Sequence, residues 1–186
     1  MRMRVGMAII SLLALALGAA GKNPPHNDVF TAGPADETQL AQKIRHELLM
    51  LPYYSIFDDL SFKIDGSVVT LEGACPPEPP YDIHKDAENV VKRIAGVTQV
   101  VNNIKVLPPA PLDQEARVRV YRAIANTGSL SQYFWQAAPS IHIIVQGQRV
   151  TLKGYVHSET DQNLATIAAR GVPDIFEVTN ELRVVK

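Results

Sequence analysis

The sequence predicts an α+β protein built from two tandem α-β-β-α-β domains, each a three-stranded mixed sheet with two helices on one face. Three observations predict it. First, Val69-Thr70-Leu71-Glu72-Gly73 returns 81 residues later as Val150-Thr151-Leu152-Lys153-Gly154. Second, Val100-Val101-Asn102-Asn103-Ile104-Lys105-Val106 returns 78 residues later as Val178-Thr179-Asn180-Glu181-Leu182-Arg183-Val184. The order of the blocks is kept, with a three-residue indel between them. A repeat of this length is a duplicated small domain, because solenoid units run to roughly 20–50 residues. Third, apolar spacing within each copy switches between helical and alternating in the same order. One hairpin and one helical crossover then make each sheet mixed.

The first copy spans 36–107. Leu40, Ile44, Leu48 and Leu51 mark one face of a helix, which Asp36 or Thr38 can cap. Phe62 and Ile64 alternate with polar neighbours, Asp65-Gly66 supplies a tight turn, and Val69 and Leu71 return. The loop with Pro76, Pro77, Pro79 and Pro80 is neither strand nor helix. Ala87, Val90, Val91 and Ile94 mark a second helix ending near Gly96, and the third strand runs from Val97 to Val106. The second copy, 113–186, follows the same order. Val118, Tyr121, Ile124 and Ala125 make its first helical stripe. Ile141, Ile143 and Val145 lead through Gln146-Gly147 to Val150 and Leu152. Ser158 with Asp161 starts the next helix as a capping-box variant, with Leu164, Ile167 and Ala168 inward. Leu107-Pro108-Pro109-Ala110-Pro111 makes 108–112 a stiff, extended linker.

Residues 1–20 read as a secretory signal peptide cleaved after Ala20, with an uncleaved N-terminal anchor as the alternative. Arg2 and Arg4 precede the apolar run Val5 to Leu17, and Gly18-Ala19-Ala20 supplies a cleavage site. No Cys stands near that site, so the chain is expected to be periplasmic or secreted and not a lipoprotein. Residues 21–35, with Pro24, Pro25, Gly33 and Pro34, read as a flexible tether.

The first copy's Asp65-Gly66, Val69 to Gly73 and Gly96 to Val106 together resemble the BON domain, and Val150 to Gly154 with Ile175 to Val184 repeat the resemblance. The arrangement is similar to that of tandem-BON periplasmic proteins. The second copy departs at Asp174, which stands where the first has Gly96, and this puts the local turn in question. The resemblance implies a non-enzymatic phospholipid-binding module of the envelope. Gly73 and Gly154 are expected to be structural strand-end glycines, and Asn102 and Asn180 to hydrogen-bond a neighbouring loop.

Composition and motifs exclude much else. The net charge of −1 carries no nucleic-acid signature. There is no phosphate loop, no His-Glu-x-x-His and no nucleophile elbow. His26, His46, His84, His142 and His157 lack metal-ligand spacing, and His142 falls on the polar face of its strand. Asp58-Asp59 and Asp82/Asp86 are not convincing catalytic pairs. No catalytic residue, metal or cofactor is expected. Cys75, the only cysteine, is either an intermolecular or free thiol or a small semi-buried side chain.

One segment points to a ligand. Arg117, Arg119 and Arg122 precede Tyr133-Phe134-Trp135, which holds the only Trp. Arginines attract lipid phosphates, and Trp and Tyr prefer the headgroup region. The expected partner is therefore an anionic phospholipid surface, bound peripherally. Two plainer readings stand beside it. The arginines form a solvated face, and Phe134-Trp135 plug the core as counterparts of Tyr53-Tyr54, twelve residues before the hairpin glycine in each copy. The alternative function is self-association or an envelope-protein partner, in an assembly module.

Overall fold

A computed structural model describes residues 27–29, 38–77, 79–136 and 138–185. The signal-peptide reading of 1–20, Asp36 and His26 lie outside the described residues. The first copy contains β1 (Asn27–Asp28), α1 (Gln39–Leu49), β2 (Asp59–Asp65), β3 (Val68–Cys75), α2 (Ile83–Lys92) and β4 (Gln99–Val106). The second contains α3 (Pro111–Ala125), a 3-10 turn (Gly128–Phe134), β5 (Ile141–Gln146), β6 (Arg149–Val156), α4 (Glu159–Arg170) and β7 (Glu177–Val184). Sheet orders are β1-β2-β3-β4 and β5-β6-β7. Each hairpin is antiparallel, and β4 and β7 run parallel to β3 and β6, as the helical crossover requires.

Each copy has its own core. Ala41, Ile44, Leu48, Ala87 and Val91 from the two helices meet Leu60, Phe62, Val69 and Leu71 from the sheet. Ala116, Val120, Ile124, Ala165 and Ala169 meet Ile141, Ile143, Val150 and Leu152 in the second copy. Thr38 caps α1 by accepting from the Ala41 amide. Ser158 and Asp161 cap α4, the Ser158 oxygen accepting from the Asp161 amide and donating to its carboxylate.

Several expectations change. The first sheet has four strands, because Asn27–Asp28 pairs with β2 and Val29 is fully buried, so the predicted tether is structured at 27–29. The turn residues are Gly66-Ser67 and Gly147-Gln148, one position beyond those expected. The predicted linker starts a helix at Pro111, whose fixed φ and missing N–H suit the first helical position. The stripe of α3 is rotated: Ala116, Val120 and Ile124 face the sheet, with Asp113 and Arg117 buried beside them. The Asp113 carboxylate accepts from the Gly147 and Gln148 amides at 2.8 Å each, which explains an acid on the inner face. In α4, Ala165 and Ala169 are buried and Ile167 is 66% exposed. Asp174 keeps the turn of Gly96 by adopting a left-handed φ of 64° and accepting from Arg119.

The copies are joined by more than the linker. The Ile143 amide, on the outer edge of β5, donates to the Ile56 carbonyl at 2.7 Å. Ile56 and Phe57 pack on the second copy's core. In the first copy the equivalent edge residue, Phe62, faces Asn27 of β1. Each hairpin edge is thus covered at the same place by a preceding piece of chain. Lys153 Nζ reaches Asp59 at 2.6 Å, Arg183 pairs with Asp28, and Lys105 donates to Gln146 at 3.0 Å. His142 is fully buried in this junction, although its strand position is on the outer sheet face. Local alternation identified that face correctly, but the first copy covers it.

Candidate functional site

The repeated motif residues are structural. Gly73 and Gly154 have φ of 122° and 114°, and a Cβ would stand 2.0 Å from the Asp59 carbonyl oxygen or 1.9 Å from that of Ser140. Only glycine permits this close crossing of the hairpin. Asn102 donates to the His84 carbonyl and Glu88 and accepts from the Ile104 amide. Asn180 donates to the Gln162 carbonyl and Thr166 and accepts from the Leu182 amide. The partner of both is the crossover helix, not the loop expected from sequence.

The predicted lipid-facing set divides. Arg117 is only 2% exposed, and its guanidinium donates to the Val145 carbonyl at 3.1 Å and Gln114 at 2.9 Å. It lies inside the α3–β5 packing, out of reach of a surface. Arg119 is half-buried and pairs with Asp174 at 3.4 Å. Arg122 is exposed. Tyr133 is buried, its hydroxyl donating to Asp161 at 2.8 Å and accepting from the His157 amide at 2.9 Å. Burial, assisted by the Asp161 charge, raises the Tyr133 pKa above the usual phenol value, while the His157 amide works the other way. Phe134 is half-buried, edge-on to Tyr121 with ring centroids 5.2 Å apart. Trp135 is 78% exposed.

The expected counterpart of Trp135 behaves differently. Tyr54 sits at the junction, its ring 5.7 Å from His142. Burial and then the charges of Asp58 and Asp59 raise its pKa well above 10. Asp58 and Asp59 are replaced by Pro139 and Ser140 in the second copy, so its matching segment lacks the Asp59 carboxylate that pairs with Lys153 at the junction. The core-plug reading therefore holds for Tyr54 and Phe134, which pack on their own cores, and fails for Tyr53 and Trp135, which are exposed.

A concave region lies on the first copy. It encloses about 170 Å³ between the stacked rings of Tyr53 and Tyr81, Pro76, Pro77 and Val106, with Cys75 buried at its base. Sequence periodicity gave no sign of it, since its walls combine irregular loops with the ends of β3 and β4. Among the described residues no group of three or more His, Cys, Asp or Glu side chains is arranged to hold a metal ion. No helix among them is long and apolar enough to cross a membrane.

No curated protein matches this chain. The C-terminal domain of CdsD, the structural protein of the type III secretion system of Chlamydia trachomatis, aligns at 14% identity over 81% of this chain and 100% of that one, with a TM-score of 0.29. A second structure of CdsD from C. trachomatis aligns at 14% identity over 80% of this chain and 93% of that one, with a TM-score of 0.28. BON domains are non-catalytic binding modules linked to phospholipid binding. The BON domain profile matches residues 36–108 and again 113–186, so the chain belongs to the BON domain family as a tandem of two copies.

Proposed function

We propose that this chain is a non-enzymatic secreted envelope protein that binds anionic phospholipid surfaces peripherally through the second copy, in envelope maintenance or osmotic stress. The architecture resembles that of the tandem-BON osmotically induced periplasmic protein Y. The observation that carries the reading is the exposure of Trp135 at 78%, next to a Phe134 anchored on Tyr121. An indole held out from a packed base is suited to the headgroup layer. Arg122, on the same helix as Tyr121, supplies an accessible positive charge, with Arg119 secondary because Asp174 partly neutralises it. A basic residue near an anionic surface contributes about 1 kcal/mol, or roughly fivefold in affinity.

Co-sedimentation with neutral and anionic vesicles tests the proposal. The mature chain should bind anionic vesicles more tightly, with a blue shift of its single Trp, and both Trp135→Ala and Arg122→Glu should weaken binding several-fold. Equal binding to both vesicle types, unchanged in the two variants, would sink it.

The alternative, self-association or an envelope-protein partner, is favoured by one observation. Exposed Ile167 and Phe176, at 66% and 74%, stand where the first copy has Asn89 and Thr98. A discrete large species in light scattering without lipid would support that reading.

A further inference from the structure

Asp161 opens α4 and is 8% exposed. Its carboxylate accepts from the hydroxyls of Ser129 at 2.9 Å, Tyr133 at 2.8 Å and Ser158 at 2.9 Å. Ser129 and Tyr133 both lie on the 3-10 turn Gly128–Phe134, so one carboxylate ties that turn to the start of α4 at two points one turn or more apart. The Tyr133 hydroxyl extends the network by accepting from the His157 amide. Burial works against the charge on Asp161, but the hydroxyls of Tyr133, Ser129 and Ser158 together hold its carboxyl below the ordinary range.

The first copy has no counterpart. The residue 78 before Asp161 is Ile83, buried in the core, and the one 78 before Ser158 is Pro80. Pro52 stands 81 before Tyr133. The first copy caps α2 with Asp82 alone, which accepts from the Lys85 amide. The first copy's core therefore forms without this network. The second copy spends a buried charge on the one segment that ends in a solvent-exposed Trp.

We infer that Asp161 is a positioning residue for the lipid-binding end: by holding Ser129 and Tyr133 it fixes the backbone on which Phe134 and Trp135 are presented. The inference rests on the lipid-surface reading above. A segment ordered before binding loses less freedom on docking, and each side chain already immobilised is worth between about twofold and tenfold in affinity. The hydroxyl network orders the segment without burying the indole, which core packing alone would have done.

The test uses the mature chain, vesicles of phosphatidylglycerol in phosphatidylcholine, and the anisotropy decay of Trp135, the only Trp. Asp161→Ala should show faster local depolarisation of Trp135 without lipid, well below its unfolding temperature, and about fivefold weaker vesicle binding per folded molecule. Tyr133→Phe deletes one donor and keeps the ring; it should show the same changes at smaller size, and it serves if Asp161→Ala does not fold. Ser158→Ala removes the helix cap but no bond to the 3-10 turn, so it should lower stability and leave Trp135 motion near that of the parent. If Asp161→Ala and Tyr133→Phe lose stability alone, with parental depolarisation and affinity, while Trp135→Ala binds weakly, the positioning role is overturned and the lipid reading stands. Parental affinity in Trp135→Ala would overturn the lipid reading, and with it the purpose assigned to Asp161.

Discussion

Nδ1 of His142 lies 2.7 Å from the carbonyl oxygen of Asp58, so the backbone of the first copy seals a side chain of the second away from water. Nε2 lies 3.1 Å from the Pro139 carbonyl. Tyr54, Asp59 and Lys153 complete the titratable surroundings. Burial pushes the His142 pKa down to about 4, with the two carbonyls and the Asp59 charge opposing that shift.

This depressed value makes stability pH-dependent. The unfolded chain, with His near 6.5, binds more protons than the folded one between about pH 6.5 and 4. Stability should be level in this respect above pH 6.5, fall as pH drops toward 4, and level off below, for a total of about 3 kcal/mol. Urea unfolding across that range measures it. The same slope in His142→Gln would refute the assignment.

The ion pair at the junction should be coupled. Lys153 Nζ lies 2.6 Å from Asp59, whose side chain is 6% exposed. Burial disfavours the ammonium, yet the hydrogen bond and charge of Asp59, with Glu181, raise its pKa above the ordinary lysine value. Lys153→Ala leaves a buried carboxylate without its cation and should cost about 2–3 kcal/mol. In a double-mutant cycle, Asp59→Asn should recover part of that loss. Strict additivity would show that the pair is not coupled.

Alanine at the two crossing glycines should be severe. Gly73→Ala or Gly154→Ala drives a Cβ into a carbonyl oxygen and should cost more than about 4 kcal/mol, or prevent folding. Gly66→Ala meets nothing within 4 Å and bears only its left-handed φ, about 1–2 kcal/mol. Thermal unfolding of the three variants ranks them, and a mild Gly73→Ala would contradict the geometry.

Arg117 and Arg122 of α3 should separate by assay. Arg117→Ala is expected to lose about 2–3 kcal/mol of stability because it strips the Val145 carbonyl of a buried charged donor. Vesicle affinity per folded molecule should be unchanged. Arg122→Glu should show the reverse pattern, with parental stability and weakened vesicle binding. The opposite outcome for either variant would exchange their roles.

The hairpins and the crossover were legible because they occur twice at fixed spacing, and the same repetition marked Asn102 and Asn180 as structural without revealing that their partner is the crossover helix. The inner faces of α3 and α4 were read less well, since periodicity cannot distinguish an outward polar residue from Asp113 or Arg117, buried beside a backbone partner. Burial of His142 was invisible for another reason: alternation reports which sheet face a residue occupies, not what lands on it. A two-residue strand such as β1 is shorter than any pattern. For the candidate site, the sequence reading merged Arg117 and Tyr133, which are interior, with Arg122 and Trp135, which reach solvent. The Asp161 network joins residues up to 32 apart and shows no local signal beyond its helix cap.

The Ile56 carbonyl on the Ile143 amide makes the duplication asymmetric. The second half, produced alone, would carry a bare hairpin edge, an uncovered His142 and a core stripped of Ile56 and Phe57. The first half, produced alone, would keep its own edge cover in β1. For edge protection, dependence therefore runs one way: the second copy is shielded only while the first remains attached as its chaperoning neighbour, and the first brings its own shield.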